Sequence, residues 1–84
     1  MTKTINTEVN VNAYYFAGQD MRTFPKQIEF DGQSVTFGSG MRYRIQRGQT
    51  ALHVYDMEVE NGHGTYRLSR SGGQWVLLTL KGVY

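Results

Sequence analysis

The pair Asp31-Gly32 constrains the fold of this chain more than any other feature of its sequence. Asp-Gly readily occupies the two positive-φ positions of a type I′ turn, whose twist suits a two-residue hairpin. A turn at this point pairs Ile28 with Val35. The apolar residues of the two strands (Ile28, Phe30, Val35, Phe37) then share one face, and the polar ones (Gln27, Glu29, Ser34, Thr36) share the other. The segment therefore predicts a hairpin with one buried face.

Similar turn signals recur about every ten residues along the whole chain, and the stretches between them are rich in Val, Ile, Thr, Tyr and Phe. This pattern is typical of an antiparallel meander. We therefore predict an all-β fold, a single β domain over residues 1–84, with about seven strands forming a compact barrel or a two-sheet sandwich. The predicted strands cover 4–16, 23–30, 33–37, 41–47, 50–60, 65–70 and 75–82. Pro25 cannot donate a ladder hydrogen bond, so its strand either starts late or lies at an edge there.

The dipeptide Gly48-Gln49 suits a type II′ turn and pairs Ile45 with Leu52 and Tyr43 with Val54. We expect this apolar face to be the dry one. The strand that follows changes the parity of its apolar residues, from Leu52 and Val54 to Met57 and Val59. A β-bulge resets parity by one residue and bends a strand, so we predict a bulge between His53 and Met57.

The last two strands raise two further expectations. A turn at residues 61–64 pairs Met57 with Leu68 and places Glu58 opposite Arg67, as a cross-strand ion pair. The final strand carries apolar side chains on both parities: Trp75 and Leu77 on one, and Val76, Leu78 and Leu80 on the other. Either the fold covers both of its faces, or one face is an interface.

Composition bounds the class of protein. The 84 residues contain no cysteine, which excludes a disulfide scaffold and a thiolate zinc site. The N-terminus lacks the apolar core of a signal peptide, and no stretch has the roughly 20 apolar residues that a membrane span requires. We expect a cytoplasmic protein without a membrane partner. A net charge of +2 does not by itself imply a polyanionic partner.

The most suggestive candidate site is a basic and aromatic group on the face of the 41–60 hairpin that we expect to be wet. Arg42, Arg44, His53 and Tyr55 share this face, and Arg47, Arg70 and Trp75 are assigned to the same candidate binding surface. Cations that follow phosphates and rings that stack on bases are the means by which small β-barrels hold single-stranded nucleic acid. The alternative is that these arginines simply form a solvated face. Arg70 opposite Trp75 predicts a cation–π contact.

The sequence does not indicate an enzyme. No Ser/His/Asp set has local support, and Gly38-Ser39-Gly40 lacks the glycine spacing of a nucleophile elbow. The two histidines, His53 and His63, are separated by roughly 33 Å of extended strand, which disfavours a shared metal ion. We therefore predict no catalytic residues, no metal and no cofactor.

Two hypotheses remain for the function. The first is a non-enzymatic binding module whose partner is another protein or a second copy of itself. It rests on the apolar final strand and on a surplus of aromatic residues: Tyr14, Tyr15, Phe16, Tyr55, Trp75 and Tyr84. The second is a small nucleic-acid-binding barrel that uses the arginine and tyrosine face.

Overall fold

The chain folds into a closed antiparallel β-barrel in which each strand pairs with the next and the last pairs with the first. The computed structural model describes residues 2–18, 22–60, 62 and 64–82. The strands are β1 (Thr2–Ala17), β2 (Arg22–Phe30), β3 (Gln33–Arg47), β4 (Thr50–Val59), β5 (Thr65–Ser71) and β6 (Gln74–Lys81). The all-β meander is confirmed, and of the two predicted architectures the barrel is the correct one.

The two hairpins predicted from turn chemistry have the predicted registers. Asp31 and Gly32 have φ values of 55° and 73°, as a type I′ turn requires, and Ile28 pairs with Val35. Gly48 has a φ of 58°, and Ile45 pairs with Leu52 across the next turn. Local turn chemistry therefore determines both registers.

Strand β3 is continuous over the stretch where the sequence predicts two strands, at 33–37 and 41–47. The register with β4 shifts between Phe37 and Ser39, which marks a β-bulge at Gly38. Strand β4 pairs without a shift with β3 and with β5 throughout 53–57. The predicted bulge between His53 and Met57 is therefore wrong, because the parity is reset in the neighbouring strand instead.

The bulge at Gly38 reverses the faces predicted for the 41–60 hairpin. Phe37 lies in the core before the bulge, and beyond it the even-numbered residues of β3 face the interior beside Tyr55 and Met57. Met41 is 70% exposed and Ile45 is 36% exposed on the outside of the barrel. The expectation that Ile45 lies on the dry face is therefore wrong, although Val54 on the same face is only 2% exposed. Tyr55 of the expected wet face lies in the core.

The register between β4 and β5 also differs from the prediction, by two residues. Asp56, not Glu58, lies opposite Arg67. The reason lies in the connecting loop, where the Glu60 N–H donates to the Thr36 carbonyl over 3.0 Å beside the β3 bulge. The last β4–β5 pair joins Glu58 to Thr65, so six residues connect the two strands where the sequence predicted four.

The final strand, β6, also contains a β-bulge, and this explains why its apolar residues occur at both odd and even positions. Leu68 pairs with Leu77 and Arg67 pairs with Thr79, so the register shifts by one residue at Leu78. The shift lets Trp75, Leu77 and Leu80 all enter the core, where they are at most 9% exposed. The strand therefore presents no wide exposed apolar face.

Candidate functional site

The predicted basic and aromatic residues meet at one end of the barrel, where the turns at 48–49 and 72–73 lie. Direct cross-strand pairs run from Arg44 to His53, from His53 to Arg70 and from Arg70 to Trp75. Neighbouring strands are about 4.8 Å apart, so these side chains stand side by side on the inner surface. The register that joins His53 to Arg70 is the one that the sequence did not predict.

A second cross-strand pair, Arg42 with Tyr55, lies next to this row on the same inner surface. Arg42 Nη2 lies 3.2 Å from His53 Nδ1, and the Arg42 guanidinium carbon lies 5.8 Å from the centroid of the Tyr55 ring. We call this group the mouth cluster: Arg42, Arg44, His53, Tyr55, Arg70 and Trp75. It contains all but one of the predicted site residues, since the side chain of Arg47 lies outside the described part of the structure.

The two rings of the mouth cluster belong to the hydrophobic core. Tyr55 is 1% exposed and Trp75 is 4% exposed, and their ring centroids are 4.9 Å apart. Neither ring is available for a base to stack on. The Trp75 ring also lies 6.2 Å from the ring of Tyr14, which is 47% exposed on β1. The accessible ring of Tyr14 thus adjoins the mouth cluster. Tyr84, another of the aromatic residues singled out in the sequence, lies outside the described residues.

The predicted cation–π contact is confirmed, because the Arg70 guanidinium carbon lies 5.4 Å from the Trp75 ring centroid. This contact holds the guanidinium at the mouth without neutralising it, since an aromatic face attracts a cation but carries no net charge. Arg70 is therefore positioned by the core and keeps its donors for other partners.

The arginines of the mouth cluster have no carboxylate partner in the part of the chain that the structure describes. Among the described residues, Arg42, Arg44 and Arg70 form no ion pair; the hydrogen-bond partner of Arg44 is the neutral side-chain oxygen of Gln46, at 3.0 Å. Arg42 and Arg70 are partly buried and Arg44 is exposed, and partial burial strengthens the field of the first two because water screens them less. The mouth cluster thus concentrates positive charge at one end of the barrel, although the net charge of the whole chain is only +2.

His53 is held in its neutral form by its surroundings. Burial lowers its pKa first, and the positive charges of Arg42, Arg44, Arg70 and Arg22 lower the pKa further. A guanidinium can only donate, so the bond from Arg42 requires Nδ1 of His53 to be the unprotonated acceptor. His53 therefore orients Arg42 without adding charge.

An open pocket of about 430 Å³ lies over the mouth cluster. Its walls include Thr23, Arg42, His53 and Arg70, and the glycine turn at 72–73 forms its rim. Guanidinium groups present several donors in a fixed planar arrangement that matches the oxygens of phosphate and carboxylate. The geometry suits the binding of an anion that approaches from the end of the barrel.

A second charged group, which sequence analysis missed, lies on the outside of the barrel. Arg67 donates from Nε to Asp56 Oδ1 over 2.8 Å and from Nη2 to Oδ2 over 3.0 Å, and Tyr43 donates to Oδ2 over 2.7 Å. These bonds, led by the one from Arg67, hold the pKa of Asp56 below its usual value. This carboxylate is fully engaged by its neighbours. A correct β4–β5 register would have found it.

No three potential metal ligands of the His, Cys, Asp and Glu types come together among the described residues. His63 lies outside those residues, so the predicted separation of the two histidines stays a prediction. Within residues 2–18, 22–60, 62 and 64–82 there is no helix of a length and apolar character that would cross a bilayer. Comparison of the chain with protein-family models, curated proteins and solved structures found no match.

Proposed function

We propose that this protein is a non-enzymatic binding module that holds single-stranded nucleic acid at the mouth of its barrel. The observation that carries the proposal is the convergence of Arg42 and Arg70 on one pocket, with Arg44 beside its His53 wall. None of the three arginines has a carboxylate partner among the described residues. Phosphate oxygens are the natural partners of such a group, because charge-assisted bonds from a guanidinium are strong and geometrically specific.

An exposed ring beside these cations favours nucleic acid over an isolated anion. Tyr14 is 47% exposed and lies one ring away from Arg70, with Trp75 between them. Stacking on an accessible aromatic ring contributes about 1–3 kcal/mol per base and tolerates any sequence. Phe16, two residues further along β1, is 63% exposed and offers a second ring.

The burial of Trp75, Leu77 and Leu80 weakens the argument for a protein partner bound by the final strand. That hypothesis depended on these side chains being accessible. A protein partner remains an expectation, and another surface of the barrel supports it better, as described below.

The test is a titration of a labelled oligothymidine of about twelve nucleotides, followed by fluorescence anisotropy at several salt concentrations. Three phosphate contacts predict a slope of log affinity against log salt near −2, since each contact with a single strand contributes about −0.7. Arg42→Ala and Arg70→Ala should each weaken binding and make the slope shallower by about 0.7.

Lys3→Ala is the matched control, because it removes the same charge at the opposite end of the barrel, where Lys3 is exposed and pairs with Leu80. It should leave the slope unchanged. Trp75 is the only tryptophan and touches Arg70, so its emission reports on occupation of the site. An absence of binding at tens of micromolar protein in low salt, or equal losses in Lys3→Ala and Arg42→Ala, would exclude this function.

A further inference from the structure

The barrel is closed at one end but divided at the other, between β2 and β3. These strands pair only over Gln27–Phe30 and Gln33–Thr36. Beyond that point β2 pairs with β1, and β3 pairs with β4 as far as Arg47. Lys26 Nζ donates to the Phe37 carbonyl over 2.8 Å where the two strands separate. Among the described residues, β3 has no strand partner on this side over 38–47.

The backbone of β3 along this open edge is suited to accept another strand. Arg47 and Thr50 flank a two-residue turn, so they form a hydrogen-bonded pair, and the odd-numbered residues of β3 direct their backbone groups toward β4. The even-numbered residues, including Arg42 and Arg44, therefore direct their N–H and C=O groups toward the gap. Unpaired backbone groups in such a row are a template for strand addition.

The two edges that face the gap are not equivalent. Pro25 on β2 has no N–H to offer, and this confirms the expectation that its strand lies at an edge there. No proline interrupts β3, and its outer face beside the gap carries Met41 and Ile45, which are 70% and 36% exposed. Strand β3 is therefore the edge on which an added strand would be stable.

The charges along the edge decide which strand would be added. An incoming strand would place one set of its side chains beside Arg42 and Arg44 and the other set beside Met41 and Ile45. A second copy that pairs antiparallel through the same edge would set arginines opposite arginines or polar residues, and like charges directly opposite are destabilising. An acidic strand would instead find complementary charge.

We propose that the edge of β3 over residues 38–47 binds an extended segment of a partner protein in which acidic and apolar residues alternate. The segment adds as a strand beside Arg42 and Arg44, with its acidic side chains toward the mouth cluster. Its apolar side chains cover Met41 and Ile45. This inference does not depend on nucleic-acid binding, although both ligands would compete for the same arginines.

The test uses a labelled nine-residue peptide with Glu at alternate positions and Val or Thr between them. Two further versions carry N-methyl groups on the amides of one or the other alternating set, because only one set can bond to β3. We expect the parent peptide to bind, one methylated version to bind at least tenfold more weakly, and the other to bind nearly as well. A version with Lys in place of Glu should not bind.

Variants separate this inference from the function proposed above. Met41→Gln and Ile45→Gln alter exposed side chains outside the mouth cluster, so they should weaken peptide binding severalfold and leave oligothymidine binding unchanged. Equal binding of both methylated peptides, or no binding at about millimolar concentration, would overturn the inference. So would a dimer in sedimentation that protects the amides of 38–47 from exchange, because a second copy would then occupy the edge.

Discussion

Arg42 donates a hydrogen bond to His53 across a directly neighbouring strand, with 3.2 Å between Nη2 and Nδ1. The bond requires a neutral imidazole, and burial together with the surrounding arginines lowers the pKa of His53 to keep it neutral. The positioning of the cation that faces the pocket is thereby linked to pH.

This link predicts how stability changes with pH. The unfolded chain protonates His53 near its ordinary pKa of 6.5, while the folded chain resists protonation to a lower pH. The contribution of His53 is therefore complete above about pH 6.5 and is lost as the pH falls through the folded pKa. Urea unfolding of the wild type between pH 7.5 and 5.5 should show this decline. In His53→Gln the decline should be smaller, and an equal decline would contradict the prediction.

The ion pair between Asp56 and Arg67 predicts which acidic residue of β4 matters for stability. Asp56→Asn should lower the free energy of unfolding by about 1 kcal/mol, because it weakens charge-assisted bonds at a partly exposed site. Glu58→Gln should change it by less than about 0.5 kcal/mol, as usual for an exposed position. Chemical denaturation measures both. The opposite order would support the register in which Glu58 faces Arg67.

The close approach of Gly40 to Met57 predicts a second effect on stability. A Cβ at position 40 would collide with the Met57 side chain and would lie 3.0 Å from the Asp56 carbonyl oxygen. Gly40→Ala should therefore cost about 1–3 kcal/mol, as overpacking does. In a double-mutant cycle with Met57→Val, the combined cost should fall below the sum of the single costs. Strict additivity would show that the two side chains do not meet.

The turn at Asp31-Gly32 predicts a position at which a methyl group is costly without any clash. Nothing lies within 4 Å of a Cβ placed at Gly32, yet its φ is 73°. Gly32→Ala should cost about 1 kcal/mol, because alanine pays a conformational penalty at positive φ. Asp31→Asn should be nearly neutral, since asparagine tolerates the same conformation. Thermal unfolding of the two variants provides the comparison, and similar midpoints would argue against a type I′ turn.

The features that sequence analysis predicted correctly are those that short segments determine. The Asp31-Gly32 and Gly48-Gln49 turns each set a register through the conformations of their own residues. The contact between Arg70 and Trp75 follows from a third such turn, at 72–73. In these hairpins the partners lie within a few residues of the turn, so no distant part of the chain takes part.

The errors arose where tertiary contacts override a local pattern. The parity change in β4 predicted a bulge, but a parity change seen in one strand does not indicate which of two paired strands contains the extra residue. The contact between Glu60 and Thr36 then displaced the β4–β5 register. The sequence assigned the members of the mouth cluster to one surface, but the direct pair between His53 and Arg70 depended on that register.

The single additional residue at Gly38 determines the chemical character of the barrel lining. Without it, the β3–β4 ribbon would present Met41 and Ile45 inward and turn Arg42 and Arg44 toward solvent. Deletion of this one residue would thus replace a cationic barrel mouth with an apolar one, while the order of the strands stayed the same. The charge of the lining in a barrel of this topology can consequently change through the insertion or deletion of one residue, with no arginine gained or removed.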